Sequence, residues 1–548
     1  MRPVDALLRV LREEGVTKVF GNPGTTELPF LDALAGAADI EYVLGVHEGS
    51  VVAMADGYAR ATGRPAFVSL HVAAGLANGL VGLLNASRSR TPLVVTAGQQ
   101  DRRHLVQDPM LSGDLVGLAR AAVKHTFDVQ HAHDLPVLLR RAFQLAVRPP
   151  AGPVFLSVPM DLLAEDTDVT LPARSTLAPP GVAGGVAEAA RLLAGARRPA
   201  IVAGDGVGRD GAVAELVAVA EALGAVVHHQ PMHDGVDFPG THPLHAGALP
   251  PLNAAIRETL AAHDVVFIVG CHAFMPHHYT PGPAVPDSVT VVQLDSDSAE
   301  PGRNFPVALG MTGGIRATLA RLAEALAGRV PRARQRIAAA AASHAARRAA
   351  ADAAALAAYG PAPFDPLAAV HAVVAGLPED AVVVEEAITS GVRLRSVLRL
   401  DRPGSLVHTV GGGLGSGIGA AVGHAMGRPE RPVVAVLGDG CSLFGLQGLW
   451  SAARYGARAT FVVMNNGEYR TLKETLDAWR SRATATGHYP GLDLATTRLD
   501  FTKAAEFFGV PAVRAKGLDG LTETVAKSAL PSGPLLVDVP VTSHSSHR

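Results

Sequence analysis

Apolar positions divide the chain into alternating helical and extended segments. Val4, Leu7, Leu8 and Leu11 repeat at helical spacing, and Gly15 ends that helix. Short apolar runs then predict strands at 19–20, 42–46, 66–71, 93–97 and 154–158, separated by Ala-rich helical stretches. These runs are apolar throughout instead of alternating with polar residues, as expected for parallel strands covered by helices on both faces. A second series predicts strands at 200–203, 225–228, 265–269 and 289–294. A third predicts them at 382–385, 406–410, 433–437, 460–464 and 535–539. Residues 161–184, rich in Asp, Thr, Pro and Gly, read as a linker. The Ala/Arg-rich stretch 328–362, ending in Gly360-Pro361, reads as a partly helical connection. The expected architecture is α/β, with three consecutive doubly wound parallel-sheet domains at 1–165, 183–330 and 360–540.

Composition narrows the function classes. The 548 residues suffice for three domains, each with its own core. A formal net charge of −2 gives no electrostatic reason to expect nucleic acid or an anionic membrane as partner. No apolar run approaches the roughly 20 residues of a membrane span. Residues 1–10 mix Arg2, Asp5 and Arg9 with apolar residues and do not read as a signal peptide. Two cysteines, Cys271 and Cys441, cannot build a disulfide framework, so a cytoplasmic location is expected.

Candidate chemistry concentrates in the third series. The apolar run 433–437 ends in Gly438-Asp439-Gly440, and the run 462–464 ends in Asn465-Asn466-Gly467. In open α/β sheets ligands bind just beyond the carboxyl ends of strands, so Asp439 and Asn466 are expected side by side there. A carboxylate and an amide oxygen suit a hard cation that keeps other positions for phosphate oxygens and water. Gly438 and Gly440 permit close approach of a diphosphate, and a helix near 445–455 is expected to point its N-terminus at the anion. Taken singly, each segment is an ordinary turn. Together they resemble the GDG and NN signature of thiamine diphosphate enzymes.

An independent match lies in the first series. The run 20–30 contains Gly21-Asn22-Pro23-Gly24-Thr25-Thr26-Glu27, in which Pro23 and Gly24 fix a turn and Thr25 or Thr26 can cap the next helix. Glu48 opens a helix, a placement the helix dipole alone explains. His71 ends a strand, where a histidine is ordinarily just polar and exposed. Combined with 69–78, Thr96-Ala97-Gly98-Gln99-Gln100, 153–159, Gly412-Gly413-Leu414-Gly415 and 490–493, these segments resemble the benzoylformate decarboxylase group of the thiamine-diphosphate-dependent 2-oxo acid decarboxylases. The resemblance spans nearly the whole chain and is weakest in the middle. It makes the three domains pyrimidine-binding, central and diphosphate-binding.

That resemblance implies a lyase with thiamine diphosphate and Mg²⁺ as cofactors. It implies non-oxidative decarboxylation of a 2-oxo acid to an aldehyde and carbon dioxide, with carboligation onto an acceptor aldehyde as a companion reaction. Asp439, Asn466 and the backbone carbonyl of Glu468 match the metal ligands, which leaves the Glu468 carboxylate free to be a surface group. Glu48 matches the acid that activates the aminopyrimidine ring, in an apolar surround that favours its protonated form. His71 and His277, the latter preferred over His278, match the catalytic histidines, and Thr25 matches the active-site serine. Leu414 matches the residue that bends the cofactor. Backbone around Gly412 holds the pyrimidine, and Asn22 and Pro23 lie in the matching N-terminal turn. Thr389, Ser390, Gly440, Cys441 and Tyr469 match diphosphate-side positions. The family usually has Ser where Cys441 stands, with Ser442 next. His408 and Thr475 replace two aromatic pocket positions, and Arg470 and Lys473 add charge, which points to a larger, more polar substrate. The resemblance also implies a homodimer as minimal active unit, with Glu48 of one chain facing the metal site of the other, and a homotetramer as usual assembly.

Other readings have specific weaknesses. The main rival is an acetolactate-synthase-type carboligase. A nicotinamide dehydrogenase reading rests on Gly206-Val207-Gly208-Arg209-Asp210-Gly211, but the acidic residue needed about twenty positions on is missing. Related enzymes bind flavin or ADP in this domain, which leaves a nucleotide site open. His228, His229 and His233 lack Cys or carboxylate partners at metal-site spacing and read as surface or pocket histidines. A catalytically silent cofactor-binding protein is disfavoured by the presence of Glu48 and both histidines.

Overall fold

A computed structural model describes residues 1–495, 499–530 and 533–543. It contains three six-stranded, all-parallel sheets flanked by helices, the expected α/β fold. The first sheet runs β1 (Lys18–Gly21), β2 (Glu41–Leu44), β3 (Ala66–Leu70), β4 (Leu93–Gln99), β5 (His125–Asp128) and β6 (Val154–Pro159), in spatial order β2-β1-β3-β4-β6-β5. The second comprises β7 (Pro199–Ala203), β8 (Val226–His229), β9 (His245–Ala248), β10 (Val265–Val269), β11 (Thr290–Asp295) and β12 (Leu309–Thr312), ordered β12-β11-β10-β7-β8-β9. The third comprises β13 (Val382–Glu386), β14 (Leu406–His408), β15 (Val433–Gly438), β16 (Ala459–Asn465), β17 (Ala512–Arg514) and β18 (Leu535–Pro540), ordered β14-β13-β15-β16-β18-β17.

The strands absent from the sequence reading are β5, β9, β12 and β17, and all four lie at sheet edges. Each of these four meets one neighbour and keeps mostly half-exposed or exposed side chains, so it lacks the buried apolar run that betrays a central strand. Central strands such as β10 and β13 are buried at every position. The stretch expected as a partly helical connection contains one continuous 25-residue helix, Ala333–Ala357. No helix among the described residues is long and apolar enough to cross a membrane.

Two compact units result. One comprises 1–176, 358–393 and 409–548; the other comprises 177–357 and 394–408. Within the first unit, helix Glu48–Thr62 packs on helix Ser416–Gly427 through small residues. A Cβ on Gly57 would stand 2.1 Å from the carbonyl oxygen of Ala420, and one on Gly423 would stand 1.8 Å from that of Met54. Neither backbone can retreat without separating the helices, so Gly423→Val is expected to destabilise the protein by about 1–3 kcal/mol. The midpoint of urea unfolding followed by far-UV circular dichroism reads this out; an unchanged midpoint contradicts such tight packing.

Candidate active site

Strands β15 and β16 are adjacent and parallel, with Gly438 paired to Met464. Their carboxyl ends therefore deliver Asp439 and Asn466 to one place, as the two motifs led us to expect. Asp439 is buried. Its Oδ1 accepts the N–H of Gly440 (2.7 Å), and its Oδ2 accepts those of Asn466 (3.1 Å) and Gly467 (2.6 Å). Asn466 Oδ1 accepts the Glu468 N–H at 3.1 Å. Asp439, Asn466 and Glu468 share one cavity with Thr389, Ser390, Leu414, Gly440, Cys441 and Tyr469, so nine of the expected residues converge.

Several details differ from expectation. The Glu468 side chain is 9% exposed and ion-paired with Lys473, so its carboxylate is no surface group. Lys473 also pairs with Asp493, while Arg470 lies among Glu468, Glu474 and Asp477 at 3.9, 3.3 and 3.6 Å. The extra cations thus have carboxylate partners. The helix that follows the glycine motif starts at Asp439 itself and ends at Leu443; a separate helix, Gly448–Arg454, comes later. Gly440 has a packing reason to lack a side chain, since a Cβ would lie 2.7 Å from the Tyr469 ring. Ser442 cannot stand in for the missing serine, because its hydroxyl donates to the Gly438 carbonyl at 2.8 Å. Burial pushes the Cys441 thiol up, which keeps it a neutral, weakly polar neighbour. Thr475 donates its hydroxyl to Thr471 within its own helix at 2.9 Å, and His408 is buried in the other compact unit.

The second cluster lies at the carboxyl edge of the first sheet. Glu48 is 7% exposed at the start of its helix. Asn22 Nδ2 donates to Oε1 and Asn78 Nδ2 to Oε2, each at 3.0 Å. The expected apolar surround is therefore half met: Glu48 is buried, but an amide donor faces each oxygen. Asn22 contacts Glu48, and Asn78 is a partner that no motif had singled out. His71 Nδ1 lies 2.9 Å from Glu27 Oε2 and 3.1 Å from Thr26 Oγ1. The sequence reading gave Glu27 no role. It also accepts the N–H of Gly24 (2.9 Å) and of Gly98 (3.1 Å), so Glu27, not Thr25 or Thr26, caps this turn. Thr25 and Pro23 are exposed.

Two glycines explain how the cluster closes. A Cβ on Gly24 would fall 2.2 Å from the His71 ring. A Cβ on Gly75 would sit 3.2 Å from Glu48 Oε1 and 3.5 Å from His71 Cβ, so Glu48 and His71 flank Gly75. Glu48 is not among the residues lining the Asp439 cavity. Gly412, at φ +75°, is exposed in the turn before helix Ser416–Gly427 and lies outside that lining as well. His277 belongs to the other compact unit, exposed in a loop with its Nδ1 2.9 Å from His278 Nε2.

A buried carboxylate beside an amide oxygen, at the mouth of a cavity lined by hydroxyls and glycine backbone, has the chemistry to receive an anionic cofactor together with a hard cation. Sequence comparison specifies the cofactor. Residues 1–138 match the N-terminal TPP-binding domain of thiamine pyrophosphate enzymes, 186–322 the central domain and 389–539 the C-terminal TPP-binding domain. The chain belongs to the thiamine pyrophosphate enzyme family. It is 35% identical to benzoylformate decarboxylase of Pseudomonas aeruginosa, over 98% of both chains. It is 27% identical to the acetolactate synthase isozyme 3 large subunit of Escherichia coli, over 92% of this chain and 88% of that one. Among solved structures, the thiamine diphosphate-dependent 4-hydroxybenzoylformate decarboxylase of Rhodococcus jostii RHA1 superposes with a TM-score of 0.87 at 31% identity. Benzoylformate decarboxylase of Polynucleobacter necessarius superposes with 0.88 at 27%. Each pairing covers all of both chains.

The residues fit the cofactor. Glu468 Oε1 is buried without a hydrogen-bond partner, and the Asp439 carboxyl is pushed up by burial to about 6 from an ordinary 3.8. Glu468 has Lys473 as its ion-pair partner, so Asp439 is the group that its surroundings leave short of positive charge. The unfolded chain releases the Asp439 proton near 3.8 and the native protein near 6, so the native state binds more protons in between. Stability of the metal-free protein therefore falls as pH rises from about 4 to 6 and stays lower above, by roughly 3 kcal/mol for this group. Asp439→Asn is expected to raise the stability of metal-free protein by about 1–3 kcal/mol at pH 8 and to change it little at pH 4. Denaturant unfolding at the two pH values checks this, and a variant destabilised at pH 8 contradicts it.

Proposed function

We propose that this enzyme decarboxylates an aryl 2-oxo acid of the benzoylformate class to the corresponding aldehyde and carbon dioxide. The observation that carries the reading is the pair Glu48 and His71 flanking Gly75, each with its own fixed partners, in a chain similar to benzoylformate decarboxylases along its whole length. Asp439, Asn466 and the Glu468 carbonyl would hold Mg²⁺, and Thr389, Ser390 and the backbone at Gly440 would receive the diphosphate. When bound, thiamine diphosphate supplies the carbon nucleophile and the electron sink that lets carbon dioxide leave.

The chain's own residues orient the reactants and move protons. Glu48 would face the pyrimidine ring, and Asn22 and Asn78 keep its carboxyl from rotating away. With Glu27 accepting a hydrogen bond from Nδ1–H of His71, Nε2 is left to exchange a proton with the substrate oxygen or the product carbon. Glu27 is thus a positioning residue. That Glu48 does not line the Asp439 cavity supports a homodimer in which one chain's Glu48 cluster would complete the other chain's metal cluster. Arg470 and Lys473 are matched by carboxylates and do not await a charged substrate group, which removes the main support for a strongly polar substrate.

Similarity to acetolactate synthases keeps one alternative in play, joining of the substrate-derived fragment to a second carbonyl compound. Carbon dioxide release should be measured over a panel of aromatic, aliphatic and charged 2-oxo acids, with products identified with and without added aldehyde. Benzoylformate is expected among the best substrates, with benzaldehyde as product. Glu48→Gln is expected to lower kcat by about 10²–10⁴-fold with an unchanged circular dichroism spectrum. Stripping the cofactor and Mg²⁺ is expected to abolish turnover, and adding both back to restore it. Protein that binds thiamine diphosphate yet releases no carbon dioxide from any member of the panel overturns the proposal.

A further inference from the structure

The carboxyl edge of the second sheet gathers a different set of residues. Strand β8 ends in His229, and the chain then folds back through His233 to Asp237. His229 is 4% exposed and Asp237 fully buried. His229 Nδ1 and Asp237 Oδ2 lie 3.7 Å apart, and neither has a hydrogen-bond partner. The His233 ring stacks on that of His229, with centroids 4.3 Å apart. One ligating atom from each of the three residues falls within 4.8 Å of the others. The expectation that these histidines lack a carboxylate companion fails because Asp237 arrives by the fold of the loop, which spacing alone does not reveal.

A buried donor or acceptor without a partner costs about 1–3 kcal/mol, so a matched pair of them calls for an occupant. The separation is too long for a hydrogen bond. It approaches the edge of a coordination polyhedron, since two ligands at bonds of about 2.0 Å and a tetrahedral angle stand ~3.3 Å apart. The far ends of two ligands are already fixed. Asp237 Oδ1 accepts the Gly208 N–H at 3.1 Å, and His233 Nδ1 bonds the Gly235 carbonyl at 2.9 Å, which leaves His233 Nε2 to ligate. Such outer contacts orient ligands in metal sites.

We propose that His229, His233 and Asp237 bind a divalent transition-metal ion of the zinc type, with two imidazole nitrogens and one carboxylate oxygen as ligands and water in the remaining position. Two imidazoles select this ion over Mg²⁺, which belongs with the oxygen donors around Asp439. The stacked rings, inclined by 19°, must splay for both lone pairs to meet one ion. The bound ion ties the loop 230–237 to the end of β8. The same contacts argue against a nucleotide on the nearby glycine-rich turn: Asp237 occupies the Gly208 N–H, and a Cβ on Gly206 would lie 2.7 Å from the Gly270 backbone.

The test uses full-length protein, stripped with chelator and reloaded with thiamine diphosphate and excess Mg²⁺. Calorimetric titration with Zn²⁺ is expected to give one equivalent per chain. His229→Gln and Asp237→Asn are each expected to weaken binding at least tenfold, the latter retaining the acceptor for Gly208. Asp439→Asn and His278→Ala should leave the stoichiometry intact, since they remove the magnesium site and the exposed His277–His278 pair. X-ray absorption at the zinc edge of wild-type protein is expected to show two imidazoles with oxygen, and this readout needs no variant to fold. Absence of an equivalent of bound zinc, binding that survives both ligand substitutions, or a shell without imidazole overturns the proposal.

Discussion

The contact between helices Glu48–Thr62 and Ser416–Gly427 is the constraint on which the first unit depends. Glycine on both helices brings the backbones so close that a single methyl group would collide with a carbonyl. This fixes the starts of both helices. One begins at Glu48; the other follows the turn that carries Gly412 and Leu414. Glu386, pushed up to about 7 by burial, accepts the N–H groups of Ser416 and Gly417 and locks that second helix onto β13. Asn85 adds bonds to the Gly413 carbonyl (2.8 Å) and the Ser416 hydroxyl (2.7 Å). Packing far from any reacting atom thereby sets the positions from which the functional residues project.

The site carboxylates are costly for the fold and are held by neutral N–H donors rather than by opposite charges. Asp439 sits among three N–H donors, and burial still holds its carboxyl in the acid form up to about pH 6. Glu48 has two amide partners and no cation. A carboxylate neutralised by Lys or Arg would be more stable but unavailable to a metal ion or a proton. Lys473 and Glu468 show the contrasting arrangement, in which each charge satisfies the other.

What was legible in the sequence follows the same physics. Central strands and the motifs at their carboxyl ends were readable because burial on both faces leaves an apolar run and a glycine-rich stop. Edge strands β5, β9, β12 and β17 left no such trace. Glu48 and His71 were found through motif resemblance, but their partners Asn78 and Glu27 were not singled out. A side chain thirty or more positions away is brought close only by the sheet's crossover connections. Asp237 escaped for a related reason, since a loop and not a helical spacing carries it to His229.

All three sheets gather their polar chemistry at the carboxyl ends of parallel strands. In the first, β1 leads to Asn22 and β3 to His71; in the third, β15 leads to Asp439 and β16 to Asn466. In the second, β7 leads to Asp205 and β8 ends at His229. The scaffold chooses the location because strand ends expose backbone groups that the sheet no longer satisfies. The side chains choose the ligand. Amide and carboxylate oxygens on β15 and β16 suit a hard cation bearing phosphate. Imidazole on β8 beside a buried aspartate suits a softer one. One architecture used three times thus yields a carboxylate–imidazole cluster, a cluster of carboxylate and amide oxygens, and a cluster of imidazoles with a buried aspartate, and the difference lies in the few residues that each strand releases at its end.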